Sequence, residues 1–138
     1  MDQASFVDAL NEDLALEFKS IVQYVQHVTV IAGPEFMSVV DELKVHTGQE
    51  LQHAQVLAEQ ISFLGGTPTT DVPTVAAPGD SQACLEADLE LERMQLERYR
   101  ERFQQAMDLG LADVAEALRP LLEQTQEHVR DLESVVTS

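Results

Sequence analysis

The chain has 138 residues, and 25 acids against 8 lysines and arginines give it a formal charge of −17. Such a field repels nucleic acid and anionic membrane surfaces and draws cations in. A single cysteine, Cys84, excludes an internal disulfide, and neither a basic apolar leader nor a membrane-length apolar run is present, so one cytoplasmic domain over residues 1–138 is expected, with no nucleic acid or membrane as partner.

Ser5, with Asp8 three residues on, resembles a capping box. From there Phe6, Leu10, Leu14, Glu17, Ile21, Tyr24, Val28 and Ile31 recur at steps of four and three. That spacing predicts a first helix over about 5–32, with one apolar face broken by a carboxylate at Glu17 and a hydroxyl at Tyr24. Gly33-Pro34 stops it, and Pro34 suits the first position of a second helix over about 34–65. So short a connection makes the two antiparallel. The second apolar stripe runs through Phe36, Val39, Val40, Leu43, Thr47, Glu50, Ala54, Leu57, Ile61 and Leu64, and it carries Glu50 with His53 three residues on. An acid and an imidazole on a buried face must be paired, neutralised or bound to a metal.

Residues 66–80 hold three prolines and no helical period, which predicts an extended connection. A helix of about 30 residues is about 45 Å long, and 15 extended residues reach roughly 50 Å. The connection is therefore just long enough to return to the far end, and the third helix should run parallel to the second. It is expected over about 81–109, with Leu85, Leu89, Glu92, Leu96, Tyr99, Phe103 and Met107 inward. Glu90, Arg93, Glu97, Arg98, Arg100, Glu101 and Arg102 read as its solvated face. Gly110 ends it, and Asp113, with Glu116 three later, can cap a fourth helix over about 112–136. The inward stripe there is Val114, Leu118, Leu121, Thr125, His128, Leu132 and Val135, with Pro120 placed to kink it or delay its start.

Each of the four helices thus carries polar groups at mid-length on its buried face. Glu17 stands about 15 residues before the first turn and Glu50 about 17 after it, while Glu92 and His128 stand 18 either side of Gly110. Equal offsets in antiparallel pairs put the groups level, so the chain should form an all-α bundle with carboxylates and imidazoles meeting at its centre. Unpaired charge there is very unfavourable, and a divalent metal removes the problem. The donor set suits iron, manganese or zinc.

These residues, together with Glu50-Leu51-Gln52-His53-Ala54, the run Ile61 to Pro68 and Asp88-Leu89-Glu90-Leu91-Glu92, resemble the ferritin-like di-iron-carboxylate proteins, bacterioferritin in particular. The resemblance spans nearly the whole chain. It implies a ferritin-like four-helix bundle with a long crossover between helices 2 and 3, and oxidation of ferrous iron by dioxygen or peroxide. It also implies that Glu17 and Glu92 are terminal ligands, Glu50 a bridging ligand, and His53 and His128 one imidazole for each metal. Tyr24 and Tyr99, each seven residues beyond one of these acids, could orient a carboxylate or carry a radical, and Tyr24 is taken as the candidate catalytic side chain. A core tyrosine with a satisfied hydroxyl is the plainer alternative.

Three departures from the family stand out. Thr125 occupies the position of a second bridging acid, three before His128, and Glu127 points about 100° away from the stripe. One or two irons per chain are expected, the second weakly held. The family's haem-binding methionine is here Leu51, so haem is not expected. No short fifth helix follows the fourth, which favours a homodimer over a 24-subunit cage. His46, one turn before Glu50, is read as a flanking histidine or an extra ligand, and His27 as structural. The function expected is iron binding and oxidation, for iron handling or oxidative-stress protection. The alternatives are a small-molecule oxidase on the same fold, or a non-catalytic metal-buffering or interaction bundle.

Overall fold

The first helix begins where Asp2 can satisfy it: the Asp2 side chain accepts from the backbone N–H of Ser5 at 2.8 Å. In the computed structural model, which describes residues 1–137, α1 spans Gln3–Val30, α2 Met37–Phe63, α3 Ser81–Asp108 and α4 Ala112–Val136. No strand occurs among the described residues. The cap on α1 is thus Asp2, and the Ser5–Asp8 pair lies inside the helix. Pro34 opens a separate turn of 3-10 helix, Pro34–Phe36, ahead of α2. Asp80 caps α3 by accepting from Ala83 at 2.9 Å. Asp113 caps nothing: Leu111 holds the cap position of α4 and Asp113 sits in its first turn, where an acid complements the helix dipole. Helix α4 runs through Pro120 without a late start. Pro120 faces solvent, so water can reach the Glu116 carbonyl that loses its partner.

Gly110 turns the chain from α3 into α4 at φ 76°, a conformation that a side chain disfavours. Gly66 closes the end of α2 differently. Its N–H donates to the Ile61 carbonyl at 2.9 Å, and a Cβ there would come within 2.6 Å of Val7 Cγ1.

The crossover lies along α1. Asn11 donates to the Thr67 carbonyl and accepts from the Thr69 N–H, at 3.1 and 2.8 Å. Farther on, Gln23 accepts from Ala76 N–H at 3.2 Å, and His27 Nε2 meets the Ala76 carbonyl at 2.7 Å. Rising residue number in the connection tracks rising number in α1, so the chain is carried back to where α2 began. Helix α3 therefore runs antiparallel to α1 and parallel to α2. The other ring nitrogen of His27 lies 2.8 Å from Asp88 Oδ1, which pins α3 to the same place.

The core falls into two apolar halves. One holds Phe6, Leu10, Leu14, Leu57, Ile61 and Leu118, the other Leu43, Leu85, Leu89 and Leu132 with Tyr24. Between them lies a buried polar layer of Glu17, Ser20, Glu50, His53, Glu92, Gln95, Thr125 and His128. The face of α3 differs from the sequence-based expectation towards its C-terminal end. Met107 is exposed and Phe103 half-buried, while Arg102, expected in solvent, is 3 % exposed. Arg102 Nε donates to Asp13 Oδ2 at 2.8 Å, and Arg98 Nε donates to Asp13 Oδ1 at 2.5 Å. A buried guanidinium is tolerable here because a buried carboxylate on α1 meets it.

Candidate metal centre

Helical periodicity turns Glu17, Glu50, Glu92 and His128 inward from four different helices, and the fold brings all four to one height. His53, three residues after Glu50, joins them on α2. His53 Nδ1 lies 3.5 Å from Glu17 Oε1 and 3.7 Å from Glu50 Oε2. His128 Nδ1 lies 2.8 Å from Glu50 Oε1 and 3.3 Å from Glu92 Oε1. The two oxygens of Glu50 therefore face different imidazoles, as a carboxylate shared between two positions must. All five side chains are 2 % exposed or less.

The residues around the layer hold it in place from outside. Tyr24 donates to Glu92 Oε1 at 2.7 Å, and Tyr99 donates to Glu17. Each tyrosine thus serves the carboxylate of the opposite helix. Burial, reinforced by Glu92 for Tyr24 and by Glu17 for Tyr99, pushes both phenols well above their ordinary range, so they stay protonated donors. His53 Nε2 meets Gln124 Oε1 at 2.7 Å, and His128 Nε2 meets Gln49 Oε1 at 2.5 Å. With the amide oxygen facing each ring, the proton sits on Nε2 and the Nδ1 lone pair turns inward.

The inward atoms lack partners of their own. Glu17 Oε2, both Glu50 oxygens, Glu92 Oε2, Thr125 Oγ1 and the Nδ1 atoms of His53 and His128 are buried without an aligned hydrogen bond. Left as they are, such groups cost several kcal/mol in the interior. The metal-free protein offsets the charge with protons. Burial, then the neighbouring Glu50, raises Glu17 well above the carboxylate range. Burial opposes charging of the rings, but the adjacent carboxylates, Glu17 and Glu50 for His53 and Glu50 and Glu92 for His128, outweigh it and push His53 up to about 11 and His128 to about 10. A divalent ion would replace those protons, so metal uptake releases protons and tightens as pH rises. Glu17, Glu50 and His53 fit one ion as a set, with ligand atoms within 4.8 Å of one another.

The second position differs from the family pattern. Thr125 fills the place of an acid with an unpartnered hydroxyl, and Glu127 is exposed. Sequence reasoning left His46 as a flanking histidine or an extra ligand; it is 1 % exposed and stacks on His128 with ring centroids 3.9 Å apart. Burial, then the neighbouring His128, depresses it to about 4, so its ring is neutral at physiological pH. His46 also forms a set with Glu92 and His128 whose ligand atoms lie within 4.8 Å of one another. Gln49 and Gln124 were not anticipated either. The available signal was their position directly before Glu50 and Thr125, which turns each to the edge of the inward stripe.

Thr125→Glu is expected to tighten the second of two ferrous binding steps in calorimetric titration, because it restores an acid three residues before His128. The metal-free variant should lose about 1–3 kcal/mol in denaturant unfolding, since it buries another carboxyl. A variant with unchanged second-step affinity would show that residue 125 does not face the second ion.

A family profile described as "Ferritin-like domain" matches residues 7–138. A bacterioferritin of Desulfovibrio desulfuricans is 25 % identical over 134 residues, which cover 96 % of this chain and 75 % of that protein. Among solved structures, one described as ferritin-like, diiron-carboxylate proteins from Bacillus anthracis superposes with a TM-score of 0.92 at 28 % identity, covering 99 % of each chain. The Desulfovibrio desulfuricans bacterioferritin structure, described by its diiron site, superposes with a TM-score of 0.88 at 24 % identity, over 98 % of this chain and 80 % of that one.

Proposed function

Because the chain belongs to the ferritin-like domain family, we propose that it takes up ferrous iron at the buried layer of Glu17, Glu50, His53, Glu92 and His128 and oxidises it. The observation that carries this reading is the set of unpartnered carboxylate oxygens and Nδ1 atoms turned to one centre from four helices. Two ferrous ions and two protons turn dioxygen into hydrogen peroxide and two ferric ions, and peroxide can serve as oxidant in its place. The protein contributes charge and orientation. Glu50 reaches both positions, the tyrosines fix the outer carboxylates, and the glutamines fix the ring tautomers. Tyr24 is the side chain placed to hold or move a proton at Glu92 Oε1.

A cavity of about 310 Å³ opens beside the layer, lined by Glu42, His46 and Asp131 together with the apolar Leu43, Leu132 and Val135. Two acids at its mouth suit an incoming cation better than an apolar substrate, which favours iron as substrate over a small-molecule oxidase. The loss of an acid at Thr125 supports a second reading, a bundle that holds metal without turning over. No helix among the described residues is long and apolar enough to cross a membrane. The reading places the protein in the cytoplasm, where a reducing compartment keeps ferrous iron available.

The test is metal content. Protein produced with iron or manganese and then desalted is expected to carry one or two ions per chain by elemental analysis, and His53→Ala should lose the ion at Glu17 and Glu50. Wild-type protein that holds no metal, and gains no thermal stability when iron is added, sinks the proposal.

The outer faces of α1 and α2 expose Val22, Val25, Val45 and Leu51, at 43 %, 54 %, 54 % and 51 %. A homodimer covering this surface is the assembly that follows. Light scattering should give twice the chain mass, and a mass near 24 chains would rule this out.

A further inference from the structure

We propose that His46 is itself a metal ligand, completing with Glu92, His128 and the shared Glu50 a second position that is richer in imidazole than the first. The proposal rests on the metal-binding reading above and specifies the half of the site where the expected bridging acid is absent.

Three histidines of the layer are wired alike. His53 and His128 hold their Nε2 against the Gln124 and Gln49 oxygens at 2.7 and 2.5 Å, and His46 holds its Nε2 against Asp131 Oδ2 at 3.3 Å. In all three, Nδ1 is buried without an aligned hydrogen bond. An imidazole that donates one N–H to a carboxylate and turns its other nitrogen to an ion is the usual arrangement around a bound metal. His27 shows the structural alternative in the same protein. Its Nδ1 is likewise buried without an aligned hydrogen bond, but it lies 2.8 Å from the Asp88 carboxylate, while its Nε2 lies 2.7 Å from the Ala76 carbonyl. A structural role at His46 would leave one buried nitrogen unused.

Position agrees. The His46 and His128 rings are stacked at 22° and the His128 and His53 rings at 21°, which makes one column of three imidazoles beside the carboxylates. The ligand atoms of His46, Glu92 and His128 lie within 4.8 Å of one another, but the lone pairs of stacked rings run nearly parallel, so one of the two rings must turn before an ion with bonds of about 2.1 Å is reached by all three. Thr125 supplies no competing acid.

Two unlike positions follow: Glu17 and His53 at one, and His46, Glu92 and His128 at the other, with one oxygen of Glu50 turned to each. Carboxylates suit manganese, whereas imidazoles suit cobalt, iron and zinc. Manganese should therefore occupy the first position alone, while cobalt fills both.

The experiment titrates wild type, His46→Gln, His46→Ala and His53→Ala with cobalt(II), following the visible ligand-field bands and the bound metal after desalting. The wild type is expected to bind two cobalt ions in unequal steps. His46→Gln and His46→Ala should weaken one step by at least about tenfold and leave the other unchanged, whereas His53→Ala should weaken the step that they spare. Circular dichroism of each variant confirms folding, and the glutamine variant, close in size, serves if the alanine variant unfolds. Two unchanged steps and unchanged bands in the folded His46 variants overturn the assignment while leaving the metal-binding reading intact. A wild type that binds no cobalt, iron or manganese overturns both.

Discussion

Glu50→Ala is expected to remove nearly all bound metal, from both positions at once. Glu50 is the one carboxylate whose oxygens face both His53 and His128, at 3.7 and 2.8 Å, so its loss deprives each ion of a negative ligand. The other acids of the layer face one imidazole each, and their loss should spare the opposite position. In the metal-free protein two effects oppose each other. After burial, Glu50 is the largest cause of the raised Glu17 pKa, so removing it relieves like-charge repulsion at the centre. That gain is opposed by the loss of the carboxylate that His53 and His128 share, so the metal-free variant should unfold near the temperature of its parent, yet gain nothing when iron is added anaerobically. Elemental analysis and paired thermal scans check this. A Glu50→Ala protein that keeps its full metal complement would show that Glu50 is not shared between the two ions.

Asp13→Ala carries the largest expected loss of stability, about 3–5 kcal/mol, because it strands a buried cation. Arg102 is 3 % exposed, and its Nε proton is held by Asp13 Oδ2 at 2.8 Å. Without that acid it retains Gln105 at 2.8 Å and the distant Glu101 at 3.9 Å. For a chain of this size the midpoint should fall by roughly 10–20 °C. The pair itself is a smaller gain than that figure suggests. Burial outweighs both guanidiniums and leaves the Asp13 carboxyl above its ordinary range. Asp13→Leu combined with Arg102→Met should accordingly stay within about 2 kcal/mol of the parent, since replacing a buried pair costs far less than breaking it. A midpoint drop of less than about 3 °C in Asp13→Ala would mean that Arg102 swings out to water.

Much of the centre was legible in the sequence, because its residues are exceptions to a regular pattern. Glu17, Glu50, Glu92 and His128 each interrupt an otherwise apolar stripe, and a carboxylate at such a position demands a partner. Equal spacing about Gly33 and Gly110 then fixes their common height without any knowledge of packing. Thr125 stood out through the family resemblance alone, which leads one to expect an acid three residues before His128.

The rest depended on how the helices meet. A single stripe describes contact with one neighbour, but a helix in a bundle touches two, so its buried arc is wider than the stripe. His46 and Arg102 lie in that extra arc, and only packing against α4 and α1 shows that they are covered. The pairings across the bundle, Tyr24 with Glu92, Tyr99 with Glu17, Gln124 with His53 and Gln49 with His128, join residues 68 to 82 positions apart. No local period encodes those distances. The sequence determined which side chains of each central stripe turn inward at mid-length and at what height, because helical geometry is local. The tertiary structure decided which nitrogen or oxygen each of them faces, because that depends on the rotation of one helix against another.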